Sequence, residues 1–154
     1  MYIQDPLSFS QNHHQSLKYL AEQALISLGC PTEKLTNIDA HSSIHLEFES
    51  LPSITLNIEE DRLWLWSAFT ELTFEVVIQH ASELFILLQE PIPLLALDQA
   101  ILVRAITGYE LKALVDISCL HSPQNLGMLI ESFHQKVDAI NHILTMHLSF
   151  ALLN

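Results

Sequence analysis

Glycine is nearly missing from this chain, with three residues in 154, at Gly29, Gly108 and Gly127. That scarcity excludes a phosphate-cradling GxxxxGK loop, a GxGxxG turn, and the Gly-x-Ser-x-Gly elbow that holds a nucleophilic serine beside its base. Cysteine is as scarce. Cys30 and Cys119 are too few for a disulfide framework and form no Cys-x-x-Cys pair, so the expectation is two reduced cytoplasmic thiols. Positive charge is the third deficit: Lys plus Arg number 6 against 18 Asp plus Glu, a formal net charge of -12. Nucleic acid and anionic bilayers would be repelled by such a surface. No apolar run is long enough to span a membrane, and Met1 to Pro6 lacks the basic region and apolar stretch of a secretion signal.

What is present is apolar. Hydrophobic residues make up 49% of the chain and charged residues only 16%, against a usual value of about 25%. A chain of this size buries roughly 69% of its unfolded surface in one core, yet too few charged groups remain to cover the outside. Some apolar surface is therefore expected to meet a partner, a second copy, a client or both.

The nine histidines invite a metal site, but their spacing opposes one. On a strand, His41 and His45 would sit about 13 Å apart. On a helix, His142 and His147 point roughly 140° away from each other. His13 and His14 lie in a polar leader, and no His-Glu-x-x-His exists to recruit them. No metal, no cofactor and no catalytic residue is assigned, because 18 acids in so small a chain make any chance carboxylate pairing uninformative.

Periodicity supplies the architecture. Residues 1 to 15 are polar and aperiodic and are expected to form a flexible leader, with residues 16 to 154 forming a single domain. From Leu17, the positions Leu20, Ala21, Ala24, Leu25 and Leu28 follow one helical face, and Gly29 stops it. The period then changes to two. Ile44, Leu46 and Phe48 alternate with polar residues, as do Ile54, Leu56 and Ile58, while Leu63-Trp64-Leu65-Trp66 is apolar on both faces and predicts a central strand. Phe74 to Leu88 restores the helical period until Pro91 and Pro93. A hairpin is predicted around Thr107-Gly108, with Tyr109, Leu111, Ala113 and Val115 as its apolar side. Ser122-Pro123 opens a last helix carrying Leu126, Leu129, Ile130, Phe133, Val137, Ile140 and Leu144. The fold class is thus α+β, in the order α-β-β-β-α-β-β-α, with a mainly antiparallel twisted sheet and three helices.

Trp64 and Trp66 project to one face of their strand about 7 Å apart. They are either core or an aromatic platform supporting a groove for an extended peptide, with an acidic rim suited to a polar or basic client.

The elements Leu28-Gly29-Cys30-Pro31, Ile38-Asp39-Ala40-His41-Ser42-Ser43-Ile44, Leu51-Pro52-Ser53-Ile54 and Leu63-Trp64-Leu65-Trp66 stand in an order and spacing that resembles the class IB type III secretion chaperones, the surface-presentation-of-antigens or invasion-protein chaperones. Leu111-Lys112-Ala113-Leu114-Val115 looks like that family's last strand, and the resemblance extends over roughly the last nine-tenths of the chain. It implies a small acidic cytoplasmic homodimer without enzymatic activity, holding the N-terminal chaperone-binding segments of effectors in secretion-competent form and releasing them at the export apparatus with help from its ATPase. On that reading Ile44, Leu46, Phe48, Ile54, Leu56, Trp64 and Trp66 are expected to bind effector. Val77, Ile78, Ala81 and Leu84, with Leu102, Arg104 and Ile106, are expected to form the dimer interface, ordinary monomer core being the competing reading for the helix. Asp39 and Ser42 are expected to turn the chain into the first strand. The alternative, from a different class, is a non-enzymatic dimeric regulatory or structural interaction module.

Overall fold

Strict alternation of apolar and polar residues leaves a chain little choice but to pair strands and bury one side of the resulting sheet. The computed structural model describes residues 11–30, 43–60 and 62–153, and in it the alternating segments become β1 (Ile44–Leu46), β2 (Ile54–Glu59) and β3 (Arg62–Phe69). The second hairpin becomes β4 (Ile101–Arg104) and β5 (Tyr109–Leu114). All pairings are antiparallel, in the order β1-β2-β3-β5-β4. The both-sided apolar strand is indeed the central one.

Among the described residues four α-helices accompany the sheet: α1 (Gln11–Ser27), α2 (Phe74–Gln79), α3 (Ala81–Gln89) and α4 (Pro123–Leu153). One face of the sheet presents Ile54, Leu56, Leu63, Leu65, Phe69, Leu111 and Ala113 to a core shared with Leu20, Ala21 and Ala24 of α1 and with Leu126, Leu129, Phe133, Val137 and Ile140 of α4. Each large apolar side chain buried there contributes about 1.5–3 kcal/mol. Ser67 faces the same core and is satisfied, because its hydroxyl donates to the carbonyl of Ser53 at 2.9 Å.

The ends of these elements follow local chemistry. At the end of α1 the N–H of Gly29 donates to Ile26 O at 3.0 Å and that of Cys30 to Leu25 O at 2.9 Å. Together with φ +89° at Gly29 these two bonds form a Schellman motif. Thr73 caps α2, its hydroxyl accepting from the Val76 N–H. Ser122 accepts from the Asn125 N–H at 3.2 Å and so opens α4, with Pro123 in its first turn as its sequence predicts. At Gly108 φ is +74° and an added Cβ would lie 2.1 Å from the Phe69 carbonyl oxygen, so the β4–β5 turn accepts nothing larger.

Three expectations need correction. The leader expected over residues 1 to 15 is helical from Gln11; no proline or glycine interrupts residues 11 to 27, and a polar helical turn carries no apolar stripe to announce it. The helix expected from Phe74 to Leu88 breaks at His80, whose backbone (φ -110°, ψ 22°) ends α2 and begins α3. The first strand stops at Leu46, short of Phe48. Residues 1 to 10 and the Asp39, His41 and Ser42 turn lie outside the described residues.

One core contact was not legible as such. Lys136 sits among the apolar positions of α4 with only 6% of its surface exposed, and its Nζ donates to the carbonyls of Leu87 at 2.6 Å and Glu90 at 3.1 Å. It lies 3.5 Å from the Glu90 carboxylate as well. A buried cation thereby closes the C-terminal end of α3, where the helix dipole welcomes it. Replacing it in Lys136→Met keeps the stem and removes the donor, and is expected to lower unfolding free energy by about 2 kcal/mol in a urea titration. Gly108→Ala is expected to cost about 2 kcal/mol through strain at the turn, visible as a lower urea midpoint with little change in slope.

Candidate functional site

Strand alternation decides which of the candidate residues reach a surface. Ile44, Ile54 and Leu56 point into the core with 6%, 0% and 1% exposure. The expectation that they offer a client surface is therefore corrected, since they are held by the opposing helices. Leu46 and Phe48 are only half-buried and pack at the margin of the core. The Phe48 ring meets the His134 ring of α4 with centroids 4.6 Å apart.

Trp64 and Trp66 take the opposite face of β3. Cross-strand register places Thr55 and Lys112 on either side of Trp66, and Asn57 and Leu114 on either side of Trp64. His45 and Ile101 extend the first of these rows to the two edges of the sheet. His45 Nδ1 lies 3.0 Å from the Thr55 hydroxyl, tying β1 to β2 on this side. The Lys112 ammonium lies 5.9 Å from the Trp64 ring centroid and 5.7 Å from that of Trp66, and 3.8 Å from the Glu110 carboxylate. The long lysine stem thus fills the space between the indoles while its charge stays near water and an acid. Both tryptophans are half-buried, with their own lysine beside the part of each ring that faces away from the core.

A second surface lies along α2, α3 and β4. Ile78 is 59% exposed and Ile106 fully so, and Phe74, Phe85 and Ile86 add further apolar area. Arg104 reaches from β4 to stand 5.5 Å above the Phe74 ring, joining the strand edge to the start of α2. Beside them opens a cleft of about 210 Å³ lined by Leu72, Thr73, Phe74, Glu75, Arg104, Ala105, Ile106, Gly108 and Tyr109. Of the residues expected to meet a second copy, Ile78, Ala81, Arg104 and Ile106 are exposed, and Val77 and Leu102 are half-buried. Leu84, at 3% exposure, belongs to the core and is corrected accordingly, because α3 turns that side onto the body of the domain. Phe85 and Ile86, which follow it, are the large apolar residues that α3 shows to solvent; they went unassigned because Leu84 to Leu88 is apolar at every position.

Among the described residues no three histidine, cysteine, aspartate or glutamate side chains converge as metal ligands would. The Cys119 thiol is buried, and that burial first, with the Asp116 carboxylate second, pushes its pKa from 9.0 up to about 12. A thiol so hard to ionise is a core side chain and a poor nucleophile. No helix among the described residues is long and apolar enough to cross a membrane.

Comparison with known proteins places this chain in a defined group. The profile of the Invasion protein B family matches residues 29–105, from the end of α1 through β4. The surface presentation of antigens protein SpaK of Salmonella typhimurium is 26% identical over 131 residues, covering 85% of this chain and 97% of that protein. Its counterpart from Salmonella typhi matches to the same extent.

The thiol provides a check on the packing. Below pH 9.0 native and unfolded chains both keep it protonated, whereas between that value and about 12 only the unfolded chain ionises, so this group weakens the native state as pH rises. In a Cys30→Ser background, Cys119 is expected to resist iodoacetamide at about pH 8.5 until denaturant is added. Labelling of the folded protein at the rate of a small-molecule thiol would show that α4 does not cover it.

Proposed function

The chain belongs to the Invasion protein B family, and on that premise we propose that it is a non-enzymatic type III secretion chaperone, a cytoplasmic homodimer that holds the N-terminal segments of effector proteins for delivery to the export apparatus and its ATPase. The observation that carries this reading is the amount of apolar side chain left at open, shallow surfaces. A chain with 16% charged residues keeps Phe74, Ile78, Phe85, Ile86, Ile101 and Ile106 in solvent, where a monomer would pay for every one of them.

Two surfaces divide the work. The face of α2 and β4, with Ile78, Ala81, Arg104 and Ile106 outermost, meets its own copy across a two-fold axis. The client lies against Trp64 and Trp66 on the side of the sheet opposite the core, and against Leu46 and Phe48 at the β1 margin. An effector segment that cannot bury its own apolar side chains gains by placing them on these surfaces, and edge backbone at β1 supplies hydrogen bonds regardless of sequence. Ile44, Ile54 and Leu56 act behind this surface as the packing that keeps the strands in register.

The test is a light-scattering mass, alone and after co-expression with effector N-terminal segments encoded in the same secretion locus. A mass of about 35 kDa, twice the 17.5 kDa chain, together with protease protection of one captured segment, is the expected result. Ile106→Asp is expected to shift the mass toward the monomer. Trp64→Ala is expected to leave the dimer intact and weaken capture at least fivefold, about 1 kcal/mol. A dimer indifferent to every such segment would turn the reading toward a regulatory or structural interaction module.

A further inference from the structure

Two copies of this chain, each with a net charge of -12, repel one another wherever acid meets acid, so a face on which they meet must balance its own charge. The cleft at the start of α2 does so. Its walls include one acid, Glu75 in the first turn of α2, and one base, Arg104 at the end of β4. Both side chains are exposed. Lys18, Lys112 and Lys136 each have a carboxylate of their own chain within 4.0 Å. Arg104 stands over the Phe74 ring instead, 5.5 Å from its centroid. The ring attracts the charge but gives the guanidinium no carboxylate to fork onto.

Beside the cleft stands a knob. Ile106, in the β4–β5 turn, has its whole side chain in solvent. The turn is closed by the Ala105 N–H, which donates to Gly108 O at 3.0 Å, and Gly108 lies tight against the Phe69 carbonyl. Ile106 is therefore presented at a fixed place, flanking its own cleft without filling it. The cleft, at about 210 Å³, has room for a branched apolar side chain, since a cavity of about 150 Å³ holds a benzene ring. In a two-fold interface, a residue that meets another is met in return by that residue's copy. A knob next to its hole, and an arginine and a glutamate in one patch, are thus complementary to themselves: a single rotation seats both knobs and forms both ion pairs.

We propose that each cleft is completed by a second copy of the chain: Ile106 of each copy enters the other's cleft, and Arg104 of each pairs with the other's Glu75. The exchange rests on the homodimer proposed above and adds how the two copies recognise each other. Arg104 then lies between its own Phe74 ring and the partner's Glu75, and one guanidinium serves both contacts. Selectivity follows, because a similar chain lacking an acid at position 75 and a base at 104 forfeits both pairs at once.

Charge reversal in the full chain, read by light scattering and native mass spectrometry, tests the exchange. Glu75→Arg alone opposes arginine to arginine twice, and Arg104→Glu alone opposes acid to acid twice. Each is expected to weaken the dimer roughly tenfold, moving the mass toward that of the 17.5 kDa chain. Mixed in equal amounts, the two variants are expected to form a one-to-one heterodimer, in which both cross pairs again join opposite charges. Attraction within one chain cannot produce that rescue. Ile106→Ala, which removes the knob and leaves the charges, is expected to weaken the dimer by a similar factor. Charge variants that stay dimeric on their own, or a mixture that recovers nothing, would overturn the exchange and leave a homodimer through another face. Dimeric variants that lose effector capture would overturn it by giving the cleft to the client. A monomeric unmodified protein would overturn the exchange and the homodimer together.

Discussion

Neighbouring side chains on a strand point to opposite faces, and the molecule is arranged around how β2, β3 and β5 meet that constraint. Leu56, Leu65 and Ala113 lie side by side on one face across three strands, and the long helix α4 closes over them. The same register places Thr55, Trp66 and Lys112 together on the other face. Core and platform are therefore two consequences of one alignment. A slip of a single residue would exchange them, driving Lys112 under α4 and the leucines into water. The Gly108 turn and the Ser67 to Ser53 bond are what hold β5 and β2 to β3 in that register.

Most of the fold was legible because its elements obey simple periods. The change from a helical spacing to alternation near Ile44, the both-sided apolar run at Leu63 to Trp66, and the Thr107-Gly108 turn each name an element, and their order yields the sheet. The sites were less legible for the same reason. A period says that Ile44, Ile54 and Leu56 share a face and that Trp64 and Trp66 share one, but not which face the helices will cover. One surface was therefore assigned residues from both. Leu84 shows the helical version of this ambiguity, since every position from Leu84 to Leu88 is apolar and only the packing separates Leu84 from Phe85.

Polar groups inside the helical layer were the least visible from sequence. Lys136 reads as an ordinary solvent-facing lysine until α3 ends beside it, and the break at His80 has no proline or glycine to announce it. Lys136 finds its acceptors 46 and 49 residues away and His80 Nε2 lies beside His147 Nδ1, 67 residues on, and no local pattern encodes such a meeting. The residues with the most specific geometry in the helices are thus the ones that composition and spacing treat as surface.

The two outer strands of the sheet are also its shortest, three residues in β1 and four in β4. For a chain that is 49% hydrophobic this brevity has a consequence for its life at high concentration. A long flat border would template the addition of strand after strand and end in insoluble fibrils. A border of three or four residues offers a newcomer only a few main-chain bonds, enough to retain a segment whose side chains also fit and too few to recruit an arbitrary one. Colloidal safety and selectivity of attachment then come from the same economy of strand length.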